Sequence, residues 1–447
     1  MYSRFLRSIL IPTYYTLRGR RYHTYRHFVE RSQWWSQERL LDFQWEETKK
    51  LLQHAFATVP FYQEKYGSAG FKIKDIQTRV DFAMLPPLTR EEVNKYSDEL
   101  KSIAFRGKLL PHATGGSSGV PTRFFITYES FDWRTAVSSR AYSWSGCNLG
   151  ERTLYLWGAP VGHVPRLTGL KKSLYELLRR EMVFNTFAQN DELWRSIYFT
   201  ALRFRPQLIV GYVSSLEQFC QFLLKNKLKL HPIRAVIAAA EPVFQPVREL
   251  VANALGAELF NTYGSREFMS IAAECEFHNG LHLNVENLLV ELETPTAEPS
   301  EILVTDLHNY GMPFIRYRIG DLGILAGSAP CKCGRGLPRI HSIEGRTLDV
   351  LRTRTGRVVP GELFPHIMKD IVEVGEFQAQ QVNLDEIILL VVVRRPLSQK
   401  SRLLLESEFY KAFGSDVKIT VKEVDEIPLR PSGKRRVTVG LGTRAER

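Results

Sequence analysis

Residues Gln207–Gly264 read QLIVGYVSSLEQFCQFLLKNKLKLHPIRAVIAAAEPVFQPVRELVANALGAELFNTYG. Short apolar runs (QLIVGY, AVIAAA, AELFNTYG) alternate there with longer helical patterns (SSLEQFCQFLLKNK, PVFQPVRELVANAL). Strand-length runs separated by helix-length segments predict α/β layering with at least partly parallel strands. Outward from this stretch, TLYLWG (153–158), LLVEL (288–292) and EILVTDL (301–307) extend the strand series. Further upstream, WSQERLLDFQWEETKKLLQHAFATVPFYQEKY (35–66) predicts helix. Leu40, Leu41, Phe43, Leu51, Leu52, Ala55 and Phe56 recur at helical spacing, and Pro60 punctuates it. Thr89 is the expected N-cap of a second helix in TREEVNKYSDEL.

The pattern changes near Gly345–Asp349. Beyond it come the strand ILLVVVRR, the helix KSRLLLESEFYKAFG, the strand VKITVKEV and a basic glycine turn, RPSGKRR. The expected organisation is a large N-terminal domain, 1–346, and a small α+β C-terminal domain, 347–447.

Composition sets bounds on function. The chain has 447 residues, 44% of them hydrophobic, which excludes collagen, coiled coil and wholesale disorder. Lys and Arg number 60 against 48 Asp and Glu, a net charge of +12. That excess favours anionic partners: nucleotides, CoA, nucleic acid or a lipid surface. It is partly terminal. SRFLRSILIPTYYTLRGRRYHTYRH at the start is basic and aromatic, so it reads either as a solvated helix or as a peripheral contact with an anionic membrane. No run is apolar enough to span a bilayer, and no secretory signal stands out. Five cysteines (Cys147, Cys220, Cys275, Cys331, Cys333) are too few and odd for a disulfide framework, which points to a reducing, cytoplasmic setting.

Five short motifs carry chemistry. Thr114-Gly115-Gly116-Ser117-Ser118-Gly119-Val120-Pro121-Thr122 lets backbone N–H groups and hydroxyls approach phosphate oxygens, although it lacks the Walker spacing. Asn261-Thr262-Tyr263-Gly264-Ser265-Arg266-Glu267 offers an aromatic face for a base, a glycine for close approach and a carboxylate for a phosphate-bound cation. Its plainer reading is a strand-to-helix turn capped by Ser265. Tyr317-Arg318-Ile319-Gly320-Asp321 places a carboxylate beside a glycine at an expected strand end, which suits ribose hydroxyls or an ordinary β-turn. Glu344-Gly345-Arg346-Thr347-Leu348-Asp349 falls on the domain boundary. Arg430-Pro431-Ser432-Gly433-Lys434 puts a lysine on a turn, able to stabilise developing negative charge or simply to be a solvated tail.

In this order the motifs resemble the adenylate-forming superfamily of acyl-CoA synthetases, luciferases and adenylation domains. The likeness is greatest to the phenylacetate–CoA ligase family and, through residues 32–66, to CapK-type proteins found with capsular polysaccharide genes. It spans almost the whole chain. The resemblance implies ATP-dependent activation of a carboxylic acid as acyl-AMP, then thioester formation with CoA, with a mobile small domain and no nucleic-acid partner. Thr114 to Thr122 would cover the β- and γ-phosphates. Ala240-Glu241-Pro242 with Tyr263 and Gly264 would line the adenine site. Glu267 would hold Mg²⁺, Asp321 the ribose and Arg346 the nucleotide near the hinge residue Asp349. Lys434 would bridge carboxylate and α-phosphate, and the turn at Gly356 would help form the thiol tunnel. Gly211-Tyr212-Val213-Ser214-Ser215 matches a Gly-Tyr-Pro-Ser-Ser segment near the acyl pocket, with Val213 in the proline's place. Trp144, Tyr155, Trp157, Tyr212 and Ala238–Ala240 would line that pocket, or would be plain core.

Cys331-Lys332-Cys333 and, upstream, Cys275-Glu276-Phe277-His278-Asn279-Gly280-Leu281-His282 together supply three sulfurs and an imidazole. That is a structural Zn²⁺ set if the segments meet, and otherwise a group of reduced thiols. The resemblance favours zinc, because some relatives in the resembled family carry one with Cys/His ligands in this region. Of the two histidines, His282 is preferred to His278 as the fourth ligand. Two further readings stand beside the CoA ligase: an adenylating transferase with another acceptor, and a non-catalytic nucleotide-binding partner protein.

Overall fold

The computed structural model of the chain describes residues 2–113, 122–157, 179–186, 191–293, 299–327, 329–346, 351–354, 358–359, 363–368, 371, 373–414, 417–427 and 437–441. A hairpin of β1 (Leu110–Ala113) and β2 (Arg123–Ile126) flanks the glycine-rich segment. Next come β3 (Thr153–Trp157), β4 (Glu181–Asn185), β5 (Leu208–Tyr212), β6 (Ala235–Ala239) and β7 (Glu258–Ser265). They are succeeded by β8 (Met269–Glu274), β9 (Leu281–Leu283), β10 (Leu288–Leu292), β11 (Ser300–Asp306), β12 (Tyr317–Leu325) and β13 (Arg339–Arg346). These last eleven strands form one sheet in the order β10-β11-β12-β13-β9-β8-β7-β6-β5-β3-β4.

The sheet changes character at β7. From β4 to β7 every pairing is parallel, whereas from β7 through β8, β9 and β13 to β10 every pairing is antiparallel. The parallel part is explained by the opening stretch: LIVGY and AVIAA are apolar throughout because helices cover a parallel sheet's faces. The helices Val213–Lys225 and Gln245–Leu255 bury Leu216, Phe219, Leu223, Val247 and Val251 in the core against Ile209 and Val236. The second helix stops at Gly256, whose φ of 63° provides the left-handed C-terminal turn. Gly211 is needed for packing, since a Cβ there would lie 3.1 Å from both Leu156 and Leu216.

The predicted helix over 35–66 is two helices, Gln37–Thr58 and Pro60–Ser68, because Pro60 begins a new first turn. Thr89 does cap Arg90–Lys95, in a reciprocal box with Glu92. The basic N-terminal segment is not simply solvated. Its helix Tyr22–Ser32 packs on the helix Tyr128–Ser143, where Tyr25 stacks on Trp133 at 4.4 Å and Trp133 on His308 at 4.1 Å. Arg20 grips Asp132 through Nε and Nη2. Arg140 and Glu286, both fully buried, pair at 2.5 Å and are joined by Ser32 and Asn284.

In sequence, β13 ends at Arg346, and the C-terminal elements begin at Leu351. β14 (Leu351–Arg352) pairs with β15 (Val358–Val359). β16 (Val374–Asn383), β17 (Glu386–Val393), β18 (Lys418–Glu423) and β19 (Thr438–Val439) form a second sheet, ordered β18-β17-β16-β19. The helix Gln399–Phe413 contributes Leu405, Phe409 and Phe413 to its core with Ile387, Leu389 and Val391. Strand β16 has no clear signature in the sequence: VGEFQAQQVN is too polar to read as a strand alone, and its pairing to apolar β17 creates it. Among the described residues no helix is long and apolar enough to cross a membrane, and all five cysteines are free.

Candidate active site and metal centre

Register brings three of the sequence motifs to one edge of the sheet. Tyr212 is opposite Ala239, and Ala239 is opposite Thr262, so the segments after β5 and β6 and the end of β7 lie at the carboxyl ends of parallel strands. That is where open α/β sheets bind ligands. Ala240 has φ 69°, an uncommon conformation for a non-glycine residue, and turns the chain immediately after β6. Glu241 then reaches the first turn of the helix Val213–Lys225. Its carboxylate accepts from Ser214 N at 2.7 Å and from Ser214 Oγ at 3.1 Å. An anion belongs at that position, since the first helical N–H groups lack internal partners. Thr262 Oγ1 donates to the Ala238 carbonyl at 2.8 Å, joining β7 to β6. Tyr212 packs on Trp157 at 4.4 Å, and Tyr155 lies beneath with Val210 and Ile237. Trp144 is elsewhere: its Nε1 donates to Gln33 and its ring meets His282 edge-on at 5.6 Å.

Two expectations are corrected. Asn261–Glu267 is not a strand-to-helix turn but the end of β7 and its hairpin into antiparallel β8. Gly264 is essential there, because a Cβ would sit 1.9 Å from the Met269 carbonyl oxygen. Asp321 is not at a strand end or in a β-turn. It lies within β12, after Gly320 at φ 80°, opposite Arg346 of β13. The two motifs nevertheless meet. Tyr263 Oη donates to Asp321 Oδ2 at 2.9 Å, across 58 residues of sequence. Glu267 is buried in the hairpin, and its Oε1 lies 3.5 Å from Tyr317 Oη. A carboxylate so placed keeps acceptor capacity for a cation. Thr114, Gly115, Gly116, Ser117, Ser118, Gly119, Asp349, Gly356 and Lys434 lie outside the described residues, as does the Arg346 side chain.

The cysteine and histidine segments converge. Ligand atoms of Cys275, His282, Cys331 and Cys333 all lie within 4.8 Å of one another. Cys275 Sγ is 3.7 Å from Cys331 Sγ, and Cys333 Sγ is 3.4 Å from His282 Nε2. A tetrahedron with Zn–S near 2.3 Å and Zn–N near 2.05 Å has edges of about 3.8 and 3.5 Å, so these separations fit zinc. The fold creates the site in three steps. Cys275 comes directly after β8, His282 is the centre of β9, and β9 pairs with β13, whose preceding loop carries Cys331 and Cys333. Gly280, with φ 77° and a Cβ position 2.7 Å from the Ile340 carbonyl, permits the tight entry into β9.

The protonation of His282 suits a metal role. His282 Nδ1–H donates to the Leu337 carbonyl at 3.0 Å, which leaves Nε2 as the free lone pair facing Cys333. Burial holds this imidazole down to about 4, so it is neutral at physiological pH. Burial also pushes the Cys275 thiol up. For Cys333 burial acts in the same sense, but hydrogen bonds from the Arg335 backbone and guanidinium outweigh it and lower the thiol. His278 is turned away from the set. Its Nδ1 is 3.0 Å from Glu274 Oε2, and that contact, against its partial burial, raises its pKa. The sequence did not reveal the neighbours that frame this cluster, Gln33, Trp144 and Arg335, because their contacts join segments more than 100 residues apart.

A family model described as the CapK C-terminal domain matches residues 351–440. Protein CapK of Staphylococcus aureus is 24% identical over 387 residues, covering 85% of this chain and 84% of that protein. Phenylacetate-coenzyme A ligase of Escherichia coli is 25% identical over 348 residues, covering 75% of this chain and 77% of that one. Among solved structures, 2-hydroxyisobutyryl-CoA ligase in the postadenylation state, in complex with 2-HIB-AMP, superposes with a TM-score of 0.70 at 19% identity. The match covers 90% of each chain. The chain thus has the fold of a solved acyl-CoA ligase, and it is similar along most of its length to proteins named CapK and phenylacetate-coenzyme A ligase.

Proposed function

We propose that the chain is an AMP-forming acid–thiol ligase that activates a carboxylic acid with ATP and transfers the acyl group to CoA. The observation that carries this reading is the 2.9 Å hydrogen bond between Tyr263 and Asp321. It unites an aromatic platform for the base with a carboxylate for the ribose, at the sheet edge where Ala240-Glu241-Pro242 turns. In this reading a substrate carboxylate oxygen attacks the α-phosphorus of ATP, the bond to pyrophosphate breaks, and acyl-AMP remains. The CoA thiol then gives up its proton, attacks the acyl carbon and displaces AMP.

Each residue has a part in that sequence of steps. Thr114, Gly115, Gly116, Ser117, Ser118 and Gly119 hold the β- and γ-phosphates through backbone N–H groups and hydroxyls. Glu267 suits Mg²⁺, which is commonly held by one or two carboxylates plus substrate phosphates and would offset the phosphates' charge. Arg346 is assigned to the nucleotide and Lys434 to neutralising charge on the α-phosphate during attack. The Glu241 side chain is engaged by Ser214, so Glu241 and Pro242 meet the adenine through the backbone turn. Ser214 in turn fixes the segment carrying Tyr212, which borders the acyl pocket with Trp157. Cys275, His282, Cys331 and Cys333 would hold a structural Zn²⁺, since four protein ligands leave no open position for chemistry.

The acid belongs to surface-polysaccharide synthesis in this reading, a setting that rests on the CapK likeness alone. The test is to incubate the protein with ATP, Mg²⁺ and a panel of aryl, fatty, hydroxy and sugar-derived acids, and to analyse products by mass spectrometry. Acyl-AMP from one class, converted to acyl-CoA when CoA is added, is the expected result. AMP formation independent of any acid would refute the reading.

A further inference from the structure

Between residues 2 and 29 the chain carries six arginines, Arg4, Arg7, Arg18, Arg20, Arg21 and Arg26, and no Asp or Glu. The structure divides this segment. From Arg20 onward it is docked, through Asp132 and the Tyr25–Trp133 stack. Before Arg20 it forms the short helices Tyr2–Phe5 and Ile11–Leu17, joined by a π-helical turn at Leu6–Leu10. Leu6 is buried, and Ile11 and Tyr15 pack against the cluster around Tyr22 and Trp133. One side of this helical rod is therefore held on the body of the protein.

Much of the rod's remaining apolar surface is exposed. Tyr2, Phe5, Ile9, Leu10, Tyr14 and Leu17 are all exposed, with Ile9 at 54% and Leu17 at 83%. Their alignment depends on the π turn. An α-helix advances about 100° per residue, so Tyr14 would stand about 120° around the axis from Tyr2. The π turn takes up an extra residue and rotates the helix Ile11–Leu17 back towards the face of Tyr2, Phe5 and Ile9. The Ile11 N–H bonds to the Leu6 carbonyl, five residues back, and Pro12, which has no N–H for the residue 8 carbonyl, follows directly at the start of the next helix. Cations frame the stripe. Arg18 lies over the Tyr14 ring at 4.6 Å, and Arg180, just before edge strand β4, lies over the Tyr2 ring at 5.3 Å. Arg18 and Arg21 are exposed.

We infer that this face docks the protein on an anionic lipid bilayer, lying in the interface plane with Phe5, Ile9, Leu10 and Leu17 among the acyl chains. Tyr2 and Tyr14 sit at headgroup level, where amphipathic aromatic rings are favoured. Arg18 and Arg21 meet lipid phosphates. A basic segment free of acids, with exposed apolar residues along about 20 Å of helix, matches a negatively charged apolar surface on both counts. The inference is independent of the ligase reading.

The test is co-sedimentation of the full chain with vesicles of phosphatidylglycerol and phosphatidylcholine, against pure phosphatidylcholine, at low and high salt. The wild type is expected to sediment with the anionic vesicles and to be released by salt. The double variant Ile9→Glu, Leu17→Glu is expected to lose binding about tenfold with unchanged melting temperature. Should that variant fail to fold, the paired Arg18→Gln, Arg21→Gln variant carries the test, with reduced anionic binding expected. Equal binding of variant and wild type, absence of binding at low salt, or a solution dimer that the apolar variant dissolves without any vesicle binding would each overturn the inference.

Discussion

Tyr263 donates a hydrogen bond to Asp321, and replacing either tests the proposed nucleotide site at the scale of a single hydrogen bond. Tyr263→Phe keeps the ring and removes the donor to Asp321. Losing one such bond beside a buried carboxylate costs on the order of 1–2 kcal/mol, so KM for ATP should rise about tenfold with a smaller change in kcat. An unchanged KM in steady-state assays would separate this pair from the ribose. At the proposed metal centre, Cys331→Ser should lose zinc and melting temperature together, while His278→Ala should retain zinc, both read by elemental analysis and calorimetry. Zinc lost from the His278 variant would overturn the ligand set. These residues were only partly legible in the sequence. The ligand types were visible, but His278 and His282 both fit the spacing. What selects His282 is the Gly280 turn into β9 and the Leu337 carbonyl that orients its ring, and neither has a local signature.

Elements were more legible than the contacts between them. The parallel strands β5, β6 and β7 and their two helices can be read from apolar run length alone. The hairpin of β7 and β8 could not, because Gly264-Ser265-Arg266-Glu267 has the composition of a helix start. A register shift between Tyr263 and Gly264 makes the turn instead. The charges inside the fold were also hidden. Arg140 and Glu286 sit in segments that read as ordinary polar positions, yet both are fully buried and join the helices Tyr22–Ser32 and Tyr128–Ser143 to the loop after β9. Removing one partner of such a pair leaves the other charged and uncompensated. Glu286→Ala should therefore lower stability by about 3–5 kcal/mol in denaturant titrations. Full retention of stability would show the pair to be dispensable.

Across the whole molecule, we place the division between a large and a small domain near Gly345–Asp349. Two observations support that boundary: the large sheet takes its last strand from Arg339–Arg346, and the CapK C-terminal match begins at Leu351. The proposed boundary comes from the sequence, where the strand and helix pattern changes. If the small domain turns about Asp349 between half-reactions, fixing the backbone there should separate them. Asp349→Pro is expected to preserve pyrophosphate release and slow acyl-CoA formation about tenfold or more, measured by single-turnover quench. Equal rates for both steps would argue against a hinge at that residue.

The central claim is carboxylate activation, and Lys434 is the residue assigned to its transition state. The most direct measurement is pyrophosphate release with ATP, Mg²⁺ and an acid found active, for wild type and Lys434→Ala, with ATP binding measured in parallel. The wild type is expected to show acid-dependent release and the variant a loss of about a hundredfold or more, with ATP affinity largely kept. Release at the wild-type rate from Lys434→Ala would contradict the claim.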